Sequence, residues 1–335
     1  MAGEEQNIMT GGGKVIPPLD WRNYEVKITD NFAQPEPILT QGESLILSRG
    51  NLMCIIGKAK SFKSFLCTSI VSGLEDDFLS LHLDESVNRV LYIDTEQAQY
   101  HVQNLIQRIY RTCEWSTDEQ TDKIIVLALR PLNTQERLNA VRAVIDEVHP
   151  DLCIIDGIRD LLTDFNDLKE SANVVNELMR LSHTYNCGII TVIHQNKGDK
   201  NARGHCGSEL VNKSETVLEV VNTDGVATVS PAYSRNMPMQ DFSFRIVQGL
   251  PELCVEPKII KKYDKLKEDL QQIMFGMSWI TKKDLKKKLA EKINKSEKTA
   301  GRWIDEAIKV KILLQNQARY LYLATEDEEQ EEIPF

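Results

Sequence analysis

The chain of 335 residues has no apolar run approaching the ~20 residues that a membrane-spanning helix needs. Its opening, MAGEEQ, is acidic and has no secretory-leader character. Both absences point away from the membrane and toward the cytoplasm. The seven cysteines (54, 67, 113, 153, 187, 206 and 254) never form a CxxC pair, and most lie inside apolar runs. That spacing argues against zinc binding or a disulfide framework, and for buried thiols in a reducing compartment. What remains is an ordinary soluble composition, 41% hydrophobic and 27% charged, long enough for one large core plus a small second domain.

Charge is unevenly spread. Residues 258–323 carry 17 Lys/Arg against 8 Asp/Glu, and residues 326–332 add 6 acids. Residues 1–257 hold 23 basic and 36 acidic side chains, within an overall net charge of −10. A basic module is therefore appended to an acidic one, which favours a polyanionic partner for the appended part.

The chain is organised around residues 51–64, NLMCIIGKAKSFKS. Residues 52–56 form a compact apolar run without polar alternation, the pattern of a buried parallel strand, closed by Gly57. From Gly57 the spacing fits a phosphate-binding loop: Lys58, Ala59, Lys60 and Ser61, then Phe62, then Lys63, Ser64 and Phe65. Successive backbone N–H groups wrap phosphates, the ammonium of Lys63 reaches the outer ones, and the Ser64 hydroxyl ligates Mg²⁺. Residues 65–74 continue as a helix whose positive end faces the anion. The pattern lacks its second glycine, because Phe62 stands there. That position enters the helix, so ordinary backbone angles are expected to suffice if the ring points away from nucleotide.

Residues 1–37 contain GGGK, PP and PEP and read as a flexible lead-in. GGGK is no second phosphate loop, since neither a hydroxyl residue nor a helical pattern follows Lys14. Residues 38–47 read as a strand pair. Beyond the first helix, residues 89–94 (RVLYID) form another strand, followed by Thr95 and Glu96. A carboxylate at the carboxyl end of a parallel strand faces the ligand crevice, so Glu96 is the candidate water-activating base. Residues 100–110 are helical, 123–129 a strand, and 135–148 an amphipathic helix. DLCIID at 151–156 is a further strand, whose Asp156 would hold the Mg²⁺ hydration shell. After a helix at 171–185, strand 188–193 ends in His194 and Gln195, placed to touch a terminal phosphate. Residues 198–207 read as a mobile polar segment that carries Arg203 and faces nucleic acid. Residues 215–221 and 226–230 are late strands joined by an Asp224-Gly225 hairpin turn. Alternating strands and helices make an α/β fold with a mostly parallel central sheet flanked by helices.

In order, IIGKAKSFKS, YIDTEQ, LCIIDGIRDLL, VIHQNKG, RGHCGSELVNKSE and YSRN resemble the RecA-like P-loop ATPases of the RepA/DnaB hexameric-helicase branch, especially the RepA-like ATPases of plasmids and mobile elements. The resemblance covers roughly residues 38–248. It implies ATP and Mg²⁺ as cofactors, with Lys63 and Ser64 as the Walker A pair and Asp156 as the Walker B aspartate. Glu96 corresponds to the catalytic glutamate, and His194 and Gln195 to the phosphate sensor. Arg235 in YSRN resembles the arginine that related ATPases insert into a neighbour's site, although Tyr233 replaces the usual lysine two residues earlier. Arg203 is the alternative finger, or a DNA contact in a central channel. An arginine supplied in trans implies a ring, as in the family's hexamers.

From Lys258 the composition changes. Helices are expected at 266–275, 282–293 and 296–310, with Ser296 capping the third, then strands at 312–315 and 320–323. Three short helices and a hairpin read as a winged helix-turn-helix, offering Lys295, Lys298, Thr299, Arg302 and Trp303 to a duplex and Arg319 from the wing. The expected organisation is a lead-in at 1–37, the ATPase domain at 38–250, a linker at 251–264, the winged helix at 265–324 and an acidic tail at 325–335. The reading that results is a DNA-dependent ATPase, a ring-forming helicase or translocase in replication, mobilisation or recombination, binding single-stranded DNA through the ring and duplex through the winged helix. Its rivals are an ATP-gated DNA-binding regulator and a loader that does not unwind.

Overall fold

The computed structural model describes residues 8, 9, 15, 16, 20–196, 202–254, 258–309, 312–315 and 320–323. The chain forms two compact units, Met1–Glu36 and Pro37–Phe335. In the first, β1 (Ile8–Met9) pairs antiparallel with β2 (Val15–Ile16). A 3₁₀ turn at Trp21–Tyr24 is capped by Asp20, whose carboxylate accepts the Arg22 N–H at 3.1 Å.

The second unit opens with the antiparallel hairpin of β3 (Pro37–Gln41) and β4 (Ser44–Ser48), the expected strand pair. Then come β5 (Leu52–Gly57), α1 (Lys63–Ser72), β6 (His82–Leu83), β7 (Val90–Asp94), α2 (Gln99–Thr112), β8 (Ile124–Ala128) and α3 (Thr134–Val148). Next are β9 (Leu152–Asp156), α4 (Leu168–Thr184), β10 (Gly188–His194), α5 (Gly204–Lys213), β11 (Thr216–Thr223), β12 (Val226–Ser234), β13 (Phe242–Val247) and β14 (Leu250–Leu253). Nine strands make one sheet in the order β14-β13-β12-β11-β5-β10-β9-β7-β8. The six from β11 to β8 are parallel, and β12 to β14 extend the sheet antiparallel.

The apolar runs reflect burial on both faces. Met53 and Ile55 of β5 join Leu66 and Ile70 of α1 and Leu105 and Ile109 of α2 on one side. Cys54 and Ile56 join Val141 of α3, Val175 of α4 and Leu210 of α5 on the other. A strand so placed has no solvent face and shows no alternation. Six of the seven cysteines are buried here. Helix starts are written locally: Asn133 and Glu136 form a reciprocal capping box on α3, and Asp167 accepts the Glu170 N–H of α4 at 2.6 Å. The turn between β11 and β12 is the expected Asp224-Gly225, both at positive φ (53° and 85°). Gly188 lets the β3–β4 hairpin lie on the sheet, because a Cβ there would stand 2.6 Å from Ile38 Cδ1.

Past the sheet stand α6 (Lys258–Ile273), β15 (Ile280–Thr281), α7 (Lys282–Ile293), α8 (Glu297–Lys309), β16 (Leu313–Gln315) and β17 (Tyr320–Leu323). The strands form a sheet in the order β15-β17-β16. Leu270, Leu285, Leu289, Ile304, Leu313 and Leu321 share a separate core with these helices. Ser296 caps α8 as expected, its hydroxyl accepting the Thr299 N–H at 3.3 Å. Asn294 closes α7 in the left-handed conformation.

Three expectations need correction. The stretch 251–264 is not an open linker: β14 pairs there with β13, and α6 begins at Lys258, eight residues before the expected helix start. Lys258–Ile273 carries a helical apolar pattern that its Lys-rich composition hides. The polar segment 198–207 is helical from Gly204 onward, and residues 197–201 lie outside the described residues.

Glu215 fastens the start of β11 to β4. Its buried carboxylate accepts the Ser48 N–H at 2.8 Å, the Ser48 hydroxyl at 3.0 Å and the Asn236 amide at 2.8 Å. Glu215→Ala strands these donors, and thermal or urea unfolding should show a loss of about 2–4 kcal/mol.

Candidate active site

Parallel register brings four strand ends to one edge. Gly57 lies beside His194, Asp94 beside Asp156, and Asp156 beside Val192. In an open parallel sheet the crevice outside these carboxyl ends is where ligands bind. A cleft of about 470 Å³ occupies it, lined by the turn and start of α1, by Asp94, Glu96 and Asp156, and by His194.

The turn is held in a phosphate-cradle shape. Lys63 is buried, and its ammonium donates to the Gly57 carbonyl at 3.1 Å and the Lys58 carbonyl at 2.9 Å, while its Nζ stands 3.3 Å from His194 Nδ1. Burial lowers the Lys63 pKa, and the carboxylates of Asp156 and Glu96 act against that shift. Burial, and then the charge of Lys63, also lowers the pKa of His194, so its imidazole is neutral near pH 7 and accepts from the lysine.

Phe62 departs from expectation. Its φ of 71° and ψ of 24° are left-handed, the conformation for which the pattern reserves its second glycine. Such a conformation costs a non-glycine residue about 1–2 kcal/mol. The half-buried ring offsets this by packing edge-on to Phe65 at 5.6 Å and against Phe244 at 6.5 Å, contacts worth about 0.5–1.5 kcal/mol each. The local sequence replaced glycine's freedom with aromatic packing, and Phe244 is 182 residues away, beyond any spacing argument.

Asp156 is the meeting point. Its Oδ2 accepts the Ser64 hydroxyl at 2.6 Å and the Tyr92 hydroxyl at 2.9 Å. A serine hydroxyl and a carboxylate are the hard oxygen donors that Mg²⁺ takes beside its own waters. In the cradle wall, the buried Ser61 hydroxyl has no hydrogen-bond partner among the described residues, a donor that a phosphate oxygen would satisfy. The residues present thus fit both a nucleotide triphosphate and Mg²⁺.

Glu96 sits at the mouth, its Oε1 3.8 Å from His194 Nε2. The turn bearing it is fixed by Asp94, which accepts the N–H groups of Glu96 at 3.0 Å and Gln97 at 2.7 Å. Thr95 ties the same turn to β9, donating to the Gly157 carbonyl at 2.8 Å. Burial raises the Glu96 pKa first, and repulsion from Asp160, Asp156 and Asp94 adds to it.

Other expected residues are not brought here. Gln195 points to the α5 side of the sheet, where its amide donates to Glu219 Oε1 at 2.7 Å. Arg235 lies at the amino edge, its guanidinium on the carbonyls of Asn212 at 3.4 Å and Lys213 at 3.1 Å, where the end of α5 carries negative potential. Arg203 is exposed, 5.0 Å over the Phe165 ring, and its N–H donates to the His194 carbonyl at 3.0 Å. Lys295, Lys298 and Arg302 are exposed around the start of α8, Trp303 packs on the C-terminal core, and Arg319 lies outside the described residues. Sequence reasoning passed over Tyr92, Asp160 and a wall of α2 made by His101, Leu105 and Arg108. That wall was legible, since positions i, i+4 and i+7 share one helix face. Arg108 stacks its guanidinium 3.6 Å over Phe65.

A strand-turn-helix phosphate cradle, a hydroxyl-carboxylate pair and a second carboxylate at the mouth define a nucleotide-dependent ATPase of the P-loop class. Residues 24–200 match the AAA domain family, and the chain belongs to it. No curated protein matches the sequence. Among solved structures, the crystal structure of the RadB recombinase is similar at a TM-score of 0.45 and 14% identity, over 62% of this chain and 91% of that one. The assignment rests on the family match and the site.

Gly57 admits no side chain, because a Cβ would stand 2.5 Å from the Val220 carbonyl and 2.6 Å from Ser61 Oγ. Gly57→Ala should weaken binding of a non-hydrolysable ATP analogue by roughly tenfold or more in calorimetry, as the cradle opens.

Proposed function

We propose that the chain is a DNA-dependent ATPase of the RecA-like type, in the RepA/DnaB branch, acting as a hexameric ring on single-stranded DNA, with a C-terminal winged helix that contacts duplex. The observation that carries the ATPase reading is the convergence of Ser64, Asp156, Lys63 and Glu96 on one cleft, from three separate strand ends. The DNA reading is supported by the net charge of residues 258–323 and by exposed Lys298 and Arg302, one helical turn apart on α8. Three helices closed by a three-stranded sheet, with α8 as the recognition helix, support the winged-helix assignment.

In this mechanism Lys63 leaves its carbonyl partners for the outer phosphates, and the N–H groups of the turn bind the others. Ser64 and Asp156 would hold Mg²⁺, which would supply charge neutralisation on the phosphates when bound. Tyr92 keeps the Asp156 carboxylate aimed at that position. Glu96 orients water in line with the terminal phosphorus and takes its proton as the bond to the bridging oxygen breaks. His194 stands between Lys63 and Glu96, where occupancy of the terminal phosphate site changes its hydrogen bonding. The His194 carbonyl holds the Arg203 N–H, so that change reaches the segment before α5 through one main-chain bond. This favours Arg203 over Arg235 as the arginine that answers to nucleotide, in a neighbour's site or on DNA.

The test is steady-state ATPase of the purified chain with and without single-stranded DNA across a salt series, beside Lys63→Ala and Glu96→Gln. Stimulation that fades with salt and disappears in both variants is expected, with each lowering turnover by about 10²-fold or more. Tight nucleotide binding with negligible turnover would instead make the protein an ATP-gated DNA-binding switch. The pH profile gives an independent check. Glu96 works as a base only when ionised, so activity falls as pH drops through its pKa, which lies above the ordinary glutamate value. Asp160→Asn removes a repelling charge, lowers that pKa and should move the acid limb to lower pH. An unmoved limb would exclude Glu96 as the titrating base.

A further inference from the structure

The phosphate turn carries three lysines, Lys58, Lys60 and Lys63, of which the mechanism above uses the ammonium of Lys63 alone. Among the described residues, four lysine and arginine side chains line the cleft: Lys60, Lys63, Arg108 and Arg159. Three of them are engaged. Lys63 is held by the carbonyls of its own turn and by His194, Arg108 lies 3.6 Å over the Phe65 ring, and Arg159 lies 4.7 Å over the Phe165 ring and 3.6 Å from Asp160. The exposed side chain of Lys60 makes no hydrogen bond or ion pair among the described residues. Of the four, it is the cation left to meet a ligand.

Its backbone is held in a strained form by a distant strand. Lys60 has a φ of 61°, in the left-handed region that L side chains avoid and glycine adopts freely. Asn222, near the end of β11, donates its amide to the Lys60 carbonyl at 3.1 Å. The other end of that amide accepts the Gly225 N–H of the β11–β12 turn, also at 3.1 Å. One side chain thus braces the phosphate loop against the hairpin. Beside Lys60, the buried Ser61 hydroxyl stands without a hydrogen-bond partner among the described residues. A lysine kept where glycine would be unstrained, at the wall of a ligand cleft, points to a use for its ammonium. We propose that Lys60 is a catalytic residue whose ammonium reaches the outer phosphates from the same chain. There it neutralises the charge that grows on the bridging oxygen as its bond to the terminal phosphorus breaks. The flexible four-carbon stem lets the ammonium swing from solvent onto the phosphates. Asn222 is the positioning residue that fixes the loop from which Lys60 reaches. The cation is supplied in cis, so it acts in each chain whether or not a neighbour adds Arg203. This role rests on the ATPase reading of the cleft.

The experiment compares the full chain with Lys60→Gly, Lys60→Arg and Asn222→Ala. It reads steady-state hydrolysis of Mg·ATP with single-stranded DNA present and, by calorimetry, binding of Mg·ADP alone and of Mg·ADP with fluoroaluminate, a mimic of the phosphoryl group in transfer. Lys60→Gly should lower kcat and kcat/KM alike by roughly tenfold or more, the mark of a contact made in the transition state. It should weaken binding of Mg·ADP with fluoroaluminate by a similar factor, and of Mg·ADP alone by less than about threefold. Lys60→Arg, which keeps the charge, should hold kcat within about threefold. Asn222→Ala should lower kcat in the same direction by a smaller factor. The melting temperature of Lys60→Gly should not fall, because glycine adopts this φ without strain, so lost turnover is not lost fold. Equal weakening of the two ligands would reduce Lys60 to a ground-state contact and overturn the proposal. Unchanged kcat in Lys60→Gly, or Lys60→Arg as slow as Lys60→Gly, would overturn it too, while leaving the ATPase reading intact. Absence of turnover in the unaltered chain would overturn that reading and this role together.

Discussion

Everything in the cleft depends on Asp156. One carboxylate oxygen accepts hydroxyls from two directions, Ser64 at the start of α1 and Tyr92 inside β7. This joins the helix after β5, the strand β7 and the end of β9 at one point. The catalytic geometry proposed here needs only that the parallel register be kept, because each strand delivers one functional group to the same edge. Register in a sheet buried on both faces is strongly specified, since a slip of one residue would turn each strand's side chains to the opposite face.

The electrostatics of that edge come from crowding. Asp94, Glu96 and Asp156 line one cleft beside Lys63, Asp160 adds its charge while paired with Arg159 at 3.6 Å, and burial raises the pKa of Asp94 and of Glu96. Each carboxylate has a different hydrogen-bond assignment, and that separates their roles. Asp94 is consumed by the Glu96 turn and the Gln97 amide, Asp156 by the two hydroxyls, and Asp160 receives Thr95 Oγ1 at 3.2 Å. Glu96 is left at the mouth with the long contact to His194, the carboxylate best placed to meet water.

Much of this was legible in the chain. The apolar runs, the spacing of Lys63 and Ser64 from Gly57, and aspartates at the ends of strands all pointed to the cleft. The hairpin at Asp224-Gly225 and the cap at Ser296 were readable from local turn and capping chemistry. What the chain did not show was decided by distant contacts. Phe62 tolerates the left-handed conformation because Phe244 packs on it. Gln195 comes after a strand that ends at the cleft, yet its side chain turns to Glu219 on β11. Arg235 is engaged by the end of α5, to which nothing in YSRN points.

The sequence by itself determined which segments are strands and helices, where the phosphate turn falls, and which carboxylates end strands. These are properties of period, capping and spacing, carried within about a dozen residues. Only the tertiary structure decided which of those groups share the cleft. Side-chain direction at a strand end depends on neighbours far away in the chain, and a hydrogen bond such as Ser64 to Asp156 exists only once β5 and β9 stand in one sheet.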